Sequence, residues 1–281
     1  VYHIGNYAFA NCDSYISLLI PENVVEIETY SFASCDGLKK ILIQNYLLGE
    51  YQFTDCQGLE EITIPVCVTE IRTHAFYDCN KLKYITIESY LIGEHMFDDC
   101  DSLQNIVIPA CVGNLMNLYD GGEAYGTIGT HAFAHCHKLS NITIKNKFIG
   151  EYMFFDCTSL QIMDTTNGGT NGLTNIGYAA FGACDNLAEI TVPFVGEHKY
   201  DIASKQTLFG YIFGESYDDE NINSNDDESM SILVQQRYKD VAAESTISDE
   251  IDNGVYNFYI PASLRIVNII REVELGYGAM M

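Results

Sequence analysis

Apolar residues recur along the chain in one fixed order: a Phe, a Cys three residues later, a Leu three after that, and then an Ile-x-Ile pair. The Phe column runs Phe9, Phe32, Phe53, Phe76, Phe97, Phe133, Phe154 and Phe181. Cys12, Cys35, Cys56, Cys79, Cys100, Cys136, Cys157 and Cys184 follow in step. Leu38, Leu59, Leu82, Leu103, Leu139, Leu160 and Leu187 complete the register, with Tyr15 in the Leu place of the first copy. Self-similarity at a period of this length is the signature of a repeat array, and it sets the fold before local propensity is weighed.

Pairs such as Ile41 with Ile43, Ile62 with Ile64, Ile85 with Ile87, Ile106 with Ile108 and Ile142 with Ile144 alternate as a half-buried strand does. Each coil is therefore expected to contribute one short strand, with parallel strands stacking at about 4.8 Å per coil. The Ala-Phe-x-x-Cys segment, with Phe and Cys three apart, predicts a single helical turn facing the core. Burial of each Phe, Leu and Ile stabilises by about 1.5–3 kcal/mol, but a lone coil has nothing to bury them against, so stability is collective.

Spacing between successive Phe residues alternates between 23 and 21 over the first five copies, giving a higher repeat of 44. Residues 68–76 typify the longer coil; 90–97, 46–53 and 147–154 typify the shorter. Glu28 and Arg72 stand where other copies carry Gly5, Gly49, Gly93, Gly129, Gly150 and Gly177. That position is expected to face solvent and to require no positive φ.

These columns resemble the BspA-like, Treponema-pallidum-type leucine-rich repeats, whose pattern is Leu-x-x-Ile-x-Ile-Pro-x-x-Val-x-x-Ile-Gly-x-x-Ala-Phe-x-x-Cys-x-x-Leu. The resemblance covers Val1 to about Val195. It implies an α/β repeat solenoid, a right-handed leucine-rich-repeat superhelix with short parallel strands, one per coil, and single helical turns. It divides the chain into an array over 1–195, a connector with an acidic insertion over 196–254, and the truncated start of a further array over 255–281. On this reading both ends are cut mid-coil, and Leu275 to Met280 re-enter the repeat register. The resemblance also implies a bacterial surface-exposed or secreted protein, in some members an adhesin for host or matrix proteins.

Two interruptions break the array. Residues 114–127, with Gly121-Gly122 at the tip, lengthen one coil, and insertions in solenoids become loops on one face. Residues 165–174, rich in Gly, Asn and Thr, read as a turn. The stretch 215–254 carries acidic runs at Asp218–Asp219–Glu220 and Asp226–Asp227–Glu228, then a weakly helical segment over 229–243, then Asp249–Glu250–Ile251–Asp252. Asp219, Asn221, Asn223, Asn225 and Asp227 alternate as calcium ligands do, but no turn Gly follows and Met230 stands where the closing Glu belongs. A solvated acidic loop is the expectation.

Charge and chemistry narrow the function. Acidic residues outnumber basic ones 39 to 14, a formal charge of −25, so the field repels nucleic acid and anionic lipid. No apolar run approaches the roughly 20 residues that cross a bilayer, so this fragment is not expected to insert into a membrane. The column cysteines read as free buried thiols, because parallel inward Cβ vectors do not favour a disulfide dihedral. Cys67 and Cys111, two coils or about 10 Å apart, are too distant to bridge. His74 and His131 recur two before the column Phe and are expected to face solvent. His135-Cys136-His137 is the densest ligand cluster, but Asp156 and Asp78 are only loose partners for it, so no metal and no cofactor is expected. No nucleophile elbow, phosphate loop or dinucleotide fingerprint is present, so the chain is not expected to be an enzyme.

Side chains alternate along a strand, so residues two and four after each column Leu face outward. One outward column is Ser17, Lys40, Glu61, Tyr84, Asn105, Asn141 and Glu189; the other is Leu19, Leu42, Thr63, Thr86, Val107, Thr143 and Thr191. Threonine and β-branched residues favour strands in any case. An apolar stripe of Leu19, Leu42, Tyr84 and Val107, accompanied by Thr63, Thr86, Thr143 and Thr191, is nonetheless the expected protein-binding surface. The alternative is a structural spacer that displays other domains of a larger surface protein.

Overall fold

The computed structural model describes residues 2–113, 128–166, 172–197, 206, 208–215, 231–237 and 255–270. Strands Ser17–Ile20, Lys40–Ile43, Glu61–Ile64, Tyr84–Ile87, Asn105–Ile108, Asn141–Ile144, Ile162–Asp164 and Glu189–Val192 stack coil upon coil in a parallel solenoid. Hydrogen bonding groups them in pairs, with Ile20 opposite Ile43, Ile64 opposite Ile87, Ile108 opposite Ile144 and Ile190 opposite Met163. The first two pairs join coils across the longer spacing, so the 44-residue period is a structural unit of two bonded coils.

Each coil carries a second short extended segment, one more than the periodicity predicts. His3–Ile4 pairs with Glu26–Ile27, Leu47–Leu48 with Glu70–Ile71, and Phe148–Ile149 with Asn175–Ile176. A parallel bridge between Ile92 and Ile128 fills the same place between two further coils. These segments hold only two residues each, too short for alternation to show in sequence.

The expected helical turn does not form. A helix would return each N–H to the carbonyl four residues earlier, whereas here alternate amides reach the next coil. Tyr7 N donates to Thr29 O at 3.2 Å, Phe9 N to Ser31 O at 2.8 Å and Asn11 N to Ala33 O at 2.9 Å. The same triplet recurs at residues 30, 32 and 34, at 51, 53 and 55, and onward through 152, 154 and 156. To aim these amides, the residues two before and two after every column Phe adopt positive φ, as Tyr51 (47°) and Asp55 (56°) do around Phe53. The left-handed conformation costs a non-glycine residue about 1–2 kcal/mol, which the inter-coil bonds offset.

Inside this staircase the column Phe rings stack with centroids 5.1 Å apart for Phe9 and Phe32 and 5.9 Å for Phe154 and Phe181. The cysteines lie beneath them, and seven donate a thiol hydrogen bond to the Phe carbonyl of the preceding coil. Cys35 Sγ is 3.1 Å from Phe9 O, Cys79 Sγ 3.1 Å from Phe53 O and Cys184 Sγ 3.1 Å from Phe154 O. Cysteine suits the position because it is small, tolerates burial and is a weak donor. All ten are free thiols. Burial pushes the Cys56 thiol up to about 12 and raises Cys79, Cys100, Cys136 and Cys157 as well.

Two expectations need correction here. The glycine column does not face solvent throughout: Gly49, Gly93 and Gly177 are buried. A Cβ on Gly129 would lie 2.1 Å from Glu94 N, so the glycine lets two coils approach. His74 and His131 are not free solvent-facing positions either, but half-buried members of a stack. Ring centroids are 5.0 Å apart for Tyr7 and Tyr30, 4.7 Å for Tyr30 and Tyr51, and 4.4 Å for Tyr51 and His74. The stack runs on through His95 and His131 to Tyr152 at 4.4–4.5 Å per step. Desolvation, with the neighbouring His95 next in weight, lowers the His74 pKa to about 4.

Beyond the repeats, the segment expected to be weakly helical contains strand Ser231–Arg237, antiparallel to Val255–Pro261 with Ser231 opposite Pro261 and Arg237 opposite Val255. A β-rich partner, Val-Tyr-Asn-Phe-Tyr-Ile-Pro, overrides the weak helix preference of Gln and Arg. The pair packs on the buried 3-10 segment Phe209–Ile212 through Phe258, and Gly210 N donates to Gln236 Oε1 at 2.6 Å. The chain then returns to the solenoid. Strand Ile266–Ile269 pairs in parallel with Glu189–Val192, so this part of 255–281 lies in the same sheet as the repeats before it. The insertion 114–127, the acidic runs, the alternating Asp219–Asp227 positions and Leu275 to Met280 lie outside the described residues.

Candidate protein-binding surface

Along each main strand, residues turned toward the core alternate with residues turned outward, because the core positions pack on the Phe and Leu columns. In Lys40–Ile43 the alternation is complete, with Lys40 and Leu42 exposed and Ile41 and Ile43 buried. The outward face is therefore held by backbone that the core has already ordered.

All eight candidate residues lie on this face. Leu19 is 52% exposed, Leu42 50%, Tyr84 65% and Val107 46%. Thr63 and Thr86 are exposed, whereas Thr143 and Thr191 are half-buried. Register brings some of them together: Leu19 is opposite Leu42, Thr63 opposite Thr86, and Val107 opposite Thr143. Tyr84 stands in the other column opposite Glu61, and Thr191 opposite Asp164. The apolar members therefore form separate patches: a leucine pair at one end, Val107 beyond the threonine pair in the same column, and Tyr84 in the neighbouring column on the strand of Thr86.

A shallow cleft lies at the join between the first two strand pairs. It is lined by Lys40, Ile41, Glu61, Ile62, Thr63, Tyr84 and Thr86, so one cation, one anion and a tyrosine border it. At its edge Lys83 Nζ donates to Glu60 Oε2 at 3.0 Å, which holds the Glu60 carboxyl below the usual range. Toward the other end polar pairs dominate, with Asn141 Nδ2 donating to Asn105 Oδ1 at 2.9 Å and Asn268 Nδ2 to Glu189 Oε1 at 3.1 Å.

Ile162 and Ile266, 63% and 48% exposed, also lie in the Tyr84 column and are absent from the columns read from sequence. Ile162-Met163-Asp164 lacks the Ile-x-Ile signature, and Ile266 follows a long interruption. The offset of two residues from Leu160 and Leu264 is the signal that locates both.

The BspA type leucine rich repeat region matches residues 2–119 and 122–202, in 6 copies. Among solved structures, a leucine-rich repeat protein from Bacteroides ovatus is similar at 22% identity and a TM-score of 0.45, over 69% of this chain and 58% of that one. The T. pallidum leucine rich repeat protein is similar at 23% identity and a TM-score of 0.38, over 62% and 68%. A leucine rich cell surface protein from Faecalibacterium prausnitzii is similar at 24% identity and a TM-score of 0.34, over 66% and 56%. The chain thus spans 58% of the length of the Bacteroides ovatus protein. No curated protein matches it.

Proposed function

This chain belongs to the BspA-type leucine-rich repeat family, and on that premise we propose that it is the protein-binding module of a cell-surface or secreted bacterial protein, adhering to host or matrix proteins through the outward face of its sheet. The observation that carries the reading is the placement of Leu19, Leu42, Tyr84 and Val107, all 46–65% exposed, on strands whose alternate residues are locked in the core. Large apolar side chains held out from an ordered sheet contribute to binding without a further loss of backbone entropy. Tyr84, beside the Lys40–Glu61 cleft, is the central anchor, since tyrosine is enriched among residues that dominate binding energy. No step of this function calls for catalysis, and the buried, high-pKa thiols of the Cys column are poor nucleophiles. Among the described residues no helix is long and apolar enough to cross a membrane.

The separation of the apolar patches by threonines favours a second reading, a rigid spacer whose sheet contacts nothing. Binding of the chain to immobilised extracellular-matrix and host surface proteins separates the two. Leu42→Glu with Val107→Glu should abolish capture while leaving the circular dichroism spectrum and melting temperature unchanged, because both side chains already stand in water. Capture that survives the double substitution would favour the spacer.

A further inference from the structure

The face that carries the aromatic stack also holds a side-chain cluster with no part in the binding surface. Two and four residues after the column Phe, the coils carry mainly acids and amides: Asp55 and Gln57, Asp78 and Asn80, Asp99 and Asp101. The coil of Phe133 departs from this by placing His135 and His137 there. His135 Nδ1 donates to Asp98 Oδ1 at 2.8 Å, while His95 Nδ1 donates to the other oxygen of Asp98 at 2.7 Å. His137 Nδ1 donates to Asp101 Oδ1 at 2.7 Å, and its Nε2 lies 3.2 Å from Asp156 Oδ2. The candidate partners read from sequence for these histidines were Asp78 and Asp156. The stacking supplies Asp98, Asp99 and Asp101 instead, and keeps Asp156.

We propose that Asp98, Asp99 and His135 form a binding site for one first-row transition dication of the zinc type. The ligand atoms of these three residues lie within 4.8 Å of one another. Small side-chain rotations close that span to the roughly 3 Å that separates donors around an ion bound at about 2.0–2.2 Å. The donor set is one imidazole nitrogen and two carboxylate oxygens, with water to complete the shell. The nitrogen selects zinc-type ions over magnesium and calcium, which take oxygen ligands.

The surroundings suit the role. Asp98 is only 4% exposed, and His95 fixes it from behind by a hydrogen bond to the oxygen that His135 does not use, the arrangement that orients metal-binding carboxylates. His135 and Asp99 are half-buried, leaving a side open for the ion to enter. Seven groups meet here, the carboxylates of Asp98, Asp99, Asp101 and Asp156 and the imidazoles of His95, His135 and His137, so acids outnumber histidines and a dication brings charge of the sign the cluster lacks. On binding, the ion replaces the proton on His135 Nδ1, which leaves to solvent. Because Asp98 and Asp99 belong to the coil of Phe97 and His135 to the coil of Phe133, the ion would cross-link the two coils on either side of the insertion 114–127.

The test is calorimetric titration of the metal-free chain with zinc chloride in a non-chelating buffer at neutral pH, with cobalt(II) visible absorption as a reporter of nitrogen ligation. The expected result is one saturable site per chain, a rise in melting temperature that a chelator reverses, and no competition from millimolar magnesium. His135→Gln and Asp99→Asn should each weaken binding by more than about 10-fold, the lower bound for loss of an outer-sphere partner. His3→Gln, in the exposed group of His3, Glu26 and Glu28, should leave it unchanged. Should His135→Gln fail to fold, the native titration and the half-exposed Asp99→Asn still decide. Absence of a saturable site, equal binding in the native chain and Asp99→Asn, or loss of binding in His3→Gln would overturn the proposal.

Discussion

Phe76→Ala removes a ring from the middle of the stacked column. Phe76 is 0% exposed and lies 5.2 Å from the ring of Phe53 and 5.4 Å from that of Phe97. Truncation of a buried Phe to Ala costs about 3–5 kcal/mol through lost burial and the cavity left behind. Each stacked aromatic pair contributes about 0.5–1.5 kcal/mol beyond area, so with two neighbours the loss belongs at the upper end of the range. A solenoid relaxes poorly around such a hole, because the backbone on both sides is tied by the Phe76 N–H to Met96 O bond and the Phe53 N–H to Ala75 O bond. At about 2–4 °C per kcal/mol for a domain of this size, the melting temperature should fall by roughly 6–20 °C. Phe9→Ala is the control, since Phe9 is 37% exposed and stacks on a single column ring, Phe32. Calorimetry and urea unfolding followed by circular dichroism measure both, and the Phe9 loss should be clearly the smaller. Equal losses, or a Phe76→Ala loss below about 1 kcal/mol, would refute the claim that the column carries stability collectively.

Two further outcomes follow from single positions. Gly129→Ala should destabilise by about 1–3 kcal/mol because the new methyl meets the Glu94 backbone, whereas Gly5→Ala, whose methyl would meet only Glu28 Oε2 at 3.7 Å, should be neutral or stabilise by up to about 1 kcal/mol; opposite signs in the same repeat column are the expected melting result. The His74 pKa of about 4 lies below its unfolded value, so the unfolded chain takes up the proton first. Stability from this residue is full above about pH 6.5 and declines as pH falls toward 4. His74→Tyr, which matches Tyr51 in the next coil, should flatten that part of the melting-temperature profile. An unchanged acid slope would mean that the stack does not exclude the proton.

The period of the Phe, Cys, Leu and Ile columns is visible in the sequence because every copy must bury the same residues against its neighbours. The solenoid, the inward Phe and Cys columns and the outward places of Leu19, Leu42, Tyr84 and Val107 were legible for that reason: burial repeats wherever stacking repeats. Ile162 and Ile266 escaped because their coils lack the Ile-x-Ile signature, although their distance from the column Leu is kept. The destination of backbone hydrogen bonds could not be read at all. A Phe and a Cys three apart fit a helical turn and an inter-coil staircase equally well, and only the presence of the next coil's carbonyls selects the staircase. Stacking alone, likewise, brings Asp98, 37 residues away in sequence, and its neighbour Asp99 to His135 and returns Ile266–Ile269 to the edge of Glu189–Val192. Which residues are buried is set within a single repeat, whereas what their polar groups meet depends on the coil beside it, and only the folded chain brings that coil into place.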